Sequence, residues 1–235
     1  MAGTCVILQP SYIPWRGFFD LVHRADVFVF YDDVQYDKHG WRNRNRVKTA
    51  QGSKWITIPV LSRGNVSEGL LVKDARISWT EDWAKKHVAT IRQSYSKAPF
   101  FAEYAPLVDA LFSKRPELLC DFTIPATIEL AKALGITHTR FLRSSELGIT
   151  GTKTERLVSI VKSVGADRYL SGPSAKDYIA AAQFRAAGVA LDYITYDYPE
   201  YEQLHPPFDP QVTILDLLFM KGRDAPSLIW GKDQP

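Results

Sequence analysis

The sequence predicts an α/β fold in which a mostly parallel sheet is flanked by helices and interrupted by an inserted β-hairpin and a helical insertion. Three observations carry this expectation. Thr4 to Leu8 and Val27 to Tyr31 are short apolar runs joined through a helix-like stretch, Gly17 to Arg24, which is the pattern of a βαβ unit. After residue 138 the same alternation resumes, with strand-like runs at Thr139 to Arg143, Arg168 to Leu170 and Val189 to Tyr193 separated by helical patterns. Between the two halves the chain first alternates with period 2 and then turns helical.

The elements follow in order. The first two strands end in polar clusters, Gln9-Pro10-Ser11-Tyr12 and Asp32-Asp33-Val34-Gln35-Tyr36. Both clusters are therefore expected at the carboxyl ends of neighbouring parallel strands, where open α/β sheets bind ligands. Arg42 to Lys48 and Trp55 to Val60, parted by a turn containing Gly52, form a hairpin pattern. Glu81 to Tyr95, Phe101 to Phe112 and Pro116 to Leu134 are helical; the first sets Trp83, His87 and Ile91 on one face, and the third has proline in its first turn and Gly135 as its stop. Thr152-Lys153-Thr154-Glu155 is expected to form a capping box for a helix that turns Leu157, Ile160, Val161 and Val164 inward. Ser174 to Asp177 is expected to cap a further helix ended by Gly188. No repeat or flexible linker divides the chain, so residues 1–235 are expected to form a single domain with a hairpin insertion at about 37–77 and a helical lobe at about 80–135.

Composition bounds the possibilities. At 235 residues and 46% apolar content the chain can bury a full core, which excludes a disordered protein. An apolar run such as Val27 to Tyr31 falls far short of the roughly 20 residues of a membrane span, and the opening residues lack a basic stretch followed by an apolar one. A cytoplasmic protein without a membrane partner is expected. Cys5 and Cys120 fit reduced core thiols, and no metal site is expected. A net charge of +3 does not point to nucleic acid.

Candidate chemistry is concentrated near the strand ends. On a strand, Arg42, Arg44, Arg46 and Lys48 project from one face and Asn43 and Asn45 from the other. Guanidinium forks match phosphate oxygens, and a charged edge strand guarded against aggregation explains the same row. Asp32 and Asp33 are placed to take a proton from an amine, with one of them expected to cap its own loop. His87 is the histidine best placed to reach a cleft and His39 comes second, although histidine on an apolar face is more often a hydrogen-bonded core residue. Ser171 and Gly172 lie where helix-start amides can receive an anion. The Tyr198 to Gln203 and Phe208 to Pro210 stretches suit a packed strap or a cleft wall. Catalytic roles are accordingly expected for Asp32, Asp33 and His87, and substrate contacts for Gln9, Tyr12, Trp15, Gln35, Tyr36, Arg42, Asn43, Arg44, Asn45, Ser171, Gly172 and Gln203.

Several stretches in order resemble one family: Gln9-Pro10-x-Tyr12-x-Pro14-Trp15-x-Gly17-x-Phe19, the run from Asp32 to Tyr36, Asn43-Arg44-Asn45, Tyr95-Ser96-Lys97-Ala98-Pro99-Phe100-Phe101, Tyr169-Leu170-Ser171-Gly172 and Asp216-Leu217-Leu218-Phe219. They look like the WbqC-like family, named for a protein of bacterial surface-polysaccharide gene clusters. That family often has histidine before the Gln-Pro pair, where this chain has Leu8. A fainter resemblance is to the Rossmann-like, nucleotidylyltransferase-like folds, whose His-x-Gly-His turn holds ATP phosphates. Here Trp15-Arg16-Gly17-Phe18 keeps the glycine and neither histidine.

The resemblance implies amide formation by an acyl or aminoacyl transferase on the amine of an amino sugar, nucleotide-linked, in surface-polysaccharide biosynthesis. The donor it implies is a thioester on a phosphopantetheine arm, with an acyl carrier protein as possible partner and Asn43 or Asn45 as donor to the oxyanion. No tightly bound cofactor is implied. ATP-dependent ligation and a non-catalytic binding or scaffold module are the alternatives.

Overall fold

Val27–Phe30 (β2) is buried at every residue because both faces of a parallel sheet are covered. It runs parallel to Thr4–Leu8 (β1), with Cys5 opposite Val27 and Leu8 opposite Phe30. Arg140–Arg143 (β5) adds outside β2, while Arg168–Ser171 (β6) and then Ala190–Tyr193 (β7) add on the far side of β1. The strand order is β5-β2-β1-β6-β7. The chain winds outward from β1 in one direction, returns, and winds outward in the other, so the winding reverses between β1 and β6. This is a Rossmann-like α/β sheet, and such a reversal opens a crevice at the carboxyl ends of the two strands. The structure is a computed structural model that describes residues 3–61 and 69–231.

Alternation along the strands builds two cores. Val6, Phe28 and Phe30 face one layer, and Cys5, Ile7, Val27 and Val29 the other. The second layer is closed by Leu157, Ile160 and Val161 of Lys153–Ser163 (α5) and by Phe184 of Ala181–Ala186 (α6). The first includes Phe18 and Phe19 of Arg16–His23 (α1) and Phe122 and Ile124 of Leu119–Ala133 (α4). It continues without a break into the insertion, through Trp83–Tyr95 (α2), Phe101–Phe112 (α3) and Val47 and Ile56 of the hairpin. Ile214–Lys221 (α7), buried on nearly all sides, joins the same cluster. Its apolar sequence lacks the one-sided period of a surface helix, which is why the sequence did not reveal it as an element.

The hairpin pairs Arg44–Thr49 (β3) with Gly52–Thr57 (β4), shifted by about two residues from expectation, and Gly52 turns the chain at φ +105°. Residues 62–68 of the expected hairpin region lie outside the described residues. Three helix starts differ from the sequence reading. α4 begins at Leu119 because Leu118 bridges Arg76 and the Pro116 carbonyl accepts from the Trp79 indole. Thr152 makes no side-chain capping bond, so the expected capping box does not form. The expected helix from Ser174 is a 3₁₀ turn, Pro173–Asp177, followed by the short α6. Among the described residues no helix is long and apolar enough to cross a membrane. Cys5 and Cys120 are buried free thiols, and burial pushes both up to about 12, which keeps them protonated and unreactive.

Candidate functional site

A cavity of about 860 Å³ opens at the reversal of winding. That volume lies within the range of small-molecule sites. Ile7, Leu8 and Gln9 reach it from the end of β1, Tyr31 from just beyond β2 and Tyr169 from β6. Trp15 and Phe18 come from the start of α1, Lys153 from the start of α5, Tyr178 and Tyr196 from later loops, and Asp37, Trp41, Arg42 and Asn45 from the insertion. Aromatic rings thus surround a small set of polar groups: two cations, one carboxylate, the amides of Gln9, Asn45 and Gln211, and the hydroxyl of Ser11.

Arg42 ties the insertion to the strand end. Its Nη1 donates to the carbonyls of Gln9 (3.2 Å) and Pro10 (3.3 Å) and to Ser11 Oγ (3.2 Å). Burial lowers its pKa to about 10, opposed by Asp37 and Tyr36, so it is still a cation at neutral pH. Asp37 accepts the His39 amide at 2.9 Å, and a Cβ at Gly40 would stand 2.5 Å from Asp37 Oδ2. Glycine at 40 therefore leaves room for the carboxylate. Lys153 is held at φ +50°, a left-handed conformation rare for a residue with a side chain.

Two glycines make room for the aromatic wall. The Trp15 indole lies across the first turn of α1, where a Cβ at Gly17 would stand 2.5 Å from Trp15 Cη2. Trp15 cannot retreat, because Tyr196 packs edge-on against it at 4.9 Å and Tyr198 at 6.1 Å. Tyr196 in turn leans its hydroxyl on Gly172, where a Cβ would meet it at 3.3 Å. Gly17→Ala is expected to cost about 1–3 kcal/mol through overpacking, seen as a fall in Tm of at least about 2 °C and a shifted indole fluorescence spectrum. An unchanged melting curve would contradict this packing.

Of the residues expected at the site, Gln9, Trp15, Arg42 and Asn45 line the cavity and the others do not. Asp32 is fully buried and accepts from Arg143 Nε (2.7 Å), Ser144 Oγ (3.2 Å), Ser145 N (3.0 Å) and Ser145 Oγ (2.9 Å). Asp33 accepts from Ser144 Oγ at 2.5 Å and pairs with Arg156. Both carboxylates are committed to fastening strand ends, and neither is placed to take a proton from a ligand in the cavity. The row of cations is likewise occupied. Arg44 donates to the His39 carbonyl and lies over Trp55, Arg46 pairs with Asp209, and Lys48 donates to the Pro207 carbonyl. The amide nitrogens of the asparagines are also spoken for, that of Asn45 by the carbonyls of Tyr12 (3.1 Å) and Ile13 (2.8 Å) and that of Asn43 by Ile58 (2.8 Å). Asn45 thus has both N–H groups engaged, and Asn43, which uses one, does not line the cavity.

His87 faces the helical core among Trp83, Phe112 and Phe122 rather than the cavity, and shares a 2.8 Å hydrogen bond with the buried Tyr12 hydroxyl. Desolvation, with help from Lys54, pushes its pKa down to about 4. The folded state thus disfavours the proton that the unfolded chain binds near pH 6.5. Stability is full above about pH 6.5 and falls as the pH drops toward 4, by about 3 kcal/mol in all. Urea titrations at pH 7 and pH 4.5, with His87→Gln as reference, check this, since the variant loses that component of the pH dependence. Gln35 is exposed, Tyr36 is buried under the loop with its phenol raised to about 12 by desolvation, Ser171 is buried against Tyr169, and Gln203 braces the backbone of Asp209.

Asp37, Trp41, Lys153, Tyr178 and Tyr196 were not among the expected site residues. Asp37 and Trp41 adjoin the polar runs that were singled out, so proximity was a usable signal. Lys153 had been assigned to a helix cap, and its left-handed backbone leaves no mark in a side-chain pattern.

The sequence profile of the WbqC-like protein family matches residues 9–228. A protein of Mycobacterium tuberculosis (strain ATCC 25618 / H37Rv), described as uncharacterized protein Rv1507c, is 39% identical over 225 residues, which cover 95% of this chain and 96% of that protein. No solved structure matches the chain. Apart from Ile7 and Leu8 of β1, the profile covers the residues that line the cavity, from Gln9 to Tyr196 and Gln211, and the chain belongs to the WbqC-like protein family.

Proposed function

We propose that the cavity binds a nucleotide-linked amino sugar and that the protein transfers an acyl or aminoacyl group to the sugar amine. The observation that carries this reading is the joint presence of Arg42, Lys153 and Asp37 in one aromatic-walled cavity at the reversal point of the sheet. Arg42 and Lys153 supply the positive charge that a diphosphate needs. The rings of Trp15, Tyr31 and Tyr196 offer flat faces to a base and to the C–H face of a sugar. Asp37 is the carboxylate that faces this space, and it replaces Asp32, Asp33 and His87 as the candidate base.

The step balances simply with a thioester donor on a phosphopantetheine arm. The sugar nitrogen attacks the thioester carbonyl, a C–N bond forms, the C–S bond breaks, the thiolate leaves on the arm, and Asp37 takes the amine proton. The Gln9 side chain, just beyond β1, offers the amide N–H, since Asn45 has both of its own engaged and Asn43 does not line the cavity. An acyl carrier protein is the partner this route calls for.

The test is direct. Purified protein is incubated with a uridine-diphosphate-linked amino sugar and acyl thioesters of coenzyme A or a holo carrier protein, and the amide product is sought by mass spectrometry. Product formation dependent on the protein supports the reading. Calorimetric binding of the sugar nucleotide with no product from any thioester leaves a binding module, and absence of binding overturns the assignment of the cavity.

A further inference from the structure

Four large apolar side chains are exposed among the described residues, and three of them gather at the mouth of the cavity. Trp41 lines the cavity and is 39% exposed, Tyr178 lines it and is 69% exposed, and Trp55, 43% exposed, lies outside it against Trp41. Exposed apolar surface scattered singly is ordinary, but gathered at one mouth it marks a place where something binds.

The two indoles form a shelf on the hairpin. Their centroids are 5.2 Å apart and their planes are inclined by 35°. The Arg44 guanidinium sits 4.5 Å from the Trp55 ring centre and that of Arg46 5.7 Å away. Both cations are tied down, Arg44 to the His39 carbonyl and Arg46 to Gln211 Oε1 at 2.9 Å, so Trp55 is backed by fixed groups. Trp41 is anchored through its own carbonyl, which accepts the Tyr12 amide at 2.9 Å. A rigid aromatic surface loses little side-chain freedom when it is covered.

We infer that Trp41 and Trp55 form a stacking surface for pyranose rings, so the ligand of this protein is a saccharide that continues past the ring held in the cavity. This rests on the reading of the cavity as a sugar site. A pyranose presents a C–H face to an indole, and the guanidiniums of Arg44 and Arg46, engaged with His39 and Gln211, back the Trp55 ring that receives it. At 5.2 Å the two indoles pack against each other too closely to admit a flat ring between them, so a ligand meets only their exposed outer surface. A nucleobase gains most between opposed faces, whereas a puckered sugar ring needs one face.

The experiment uses the whole chain, an array of bacterial surface oligosaccharides of one to four rings, and a uridine-diphosphate-linked amino sugar, with Trp55→Ala and Trp55→Phe beside the wild type. Binding is read by intrinsic fluorescence and calorimetry. Affinity should rise about tenfold between one-ring and longer members of a matching series, which is about 1.4 kcal/mol. Trp55→Ala should lose at least fivefold on the longer members only, with unchanged affinity for the sugar nucleotide and an unchanged melting curve, and Trp55→Phe should keep most of the gain. Equal affinities for wild type and Trp55→Ala, or no oligosaccharide bound, overturn the inference. So does Trp55-dependent self-association, or binding of a single-stranded oligonucleotide in place of a glycan. If the wild type binds oligosaccharides through Trp55 but no sugar nucleotide, the shelf stands and the cavity reading falls; the reverse outcome removes the shelf alone.

Discussion

Asp32→Ala should lower the free energy of unfolding by about 3–5 kcal/mol, the usual result of breaking a buried ion pair from one side. The carboxylate is fully buried and receives four hydrogen bonds, one from Arg143 at the end of β5 and three from Ser144 and Ser145 in the turn that follows. Its removal strips Arg143 Nε of its close partner, leaving Glu146 at 4.0 Å for that atom and Asp121 at 3.7 Å from Nη1. Ser145 loses its acceptor as well. This cluster joins the ends of β2 and the edge strand β5, so the loss loosens that side of the sheet. Asp32→Asn keeps the shape and part of the hydrogen bonding and should fall between wild type and alanine. Urea unfolding followed by far-ultraviolet circular dichroism is the measurement, and a difference under 1 kcal/mol for alanine would remove Asp32 from this role.

Asp37→Asn should cut the rate of amide formation by a factor of about 10² to 10⁴, the range for loss of a positioned general base. The asparagine carbonyl can still accept the His39 amide, so the loop keeps its shape and sugar-nucleotide affinity should change by less than about threefold. Rate and binding thus separate. Calorimetry on the variant together with initial rates of product formation decides the matter. A variant with wild-type rates would show that Asp37 carries no proton, and one that also lost binding would place it among the groups that hold substrate.

The sheet was legible because its strands are short apolar runs with Gly135 and Gly188 marking helix stops, and because the polar clusters follow β1 and β2 directly. The inserted hairpin was legible from its alternation. The site was legible only where sequence neighbours stay together in space, as with Gln9, Trp15 and Arg42. Asp32 and Asp33 show why the rest was not. Their position after a strand suits either chemistry or clamping, and the partners that decide it, Arg143, Ser144, Ser145 and Arg156, lie more than a hundred residues onward. Arg46 and Lys48 of the hairpin pose the same problem, since their acceptors at Pro207, Asp209 and Gln211 carry no mark of what they will bind. Gly17 and Gly172 stand at helix starts in the sequence pattern, which does not show that the space beside them is filled by Trp15 and Tyr196.

Arg16, buried beneath the strap, donates to the carbonyl of Pro199 at 2.8 Å and lies 4.8 Å from the centre of the Tyr198 ring. Together with Tyr196 against Trp15, this means that the loop opening the chain's first crossover is braced by residues translated some 180 positions later. During synthesis the early sheet can assemble on the ribosome, but the pocket stays unfinished until the strap has emerged. A nascent chain stalled before Tyr196 would be a scaffold without a working recess, and ligand could rescue folding only after that point in translation.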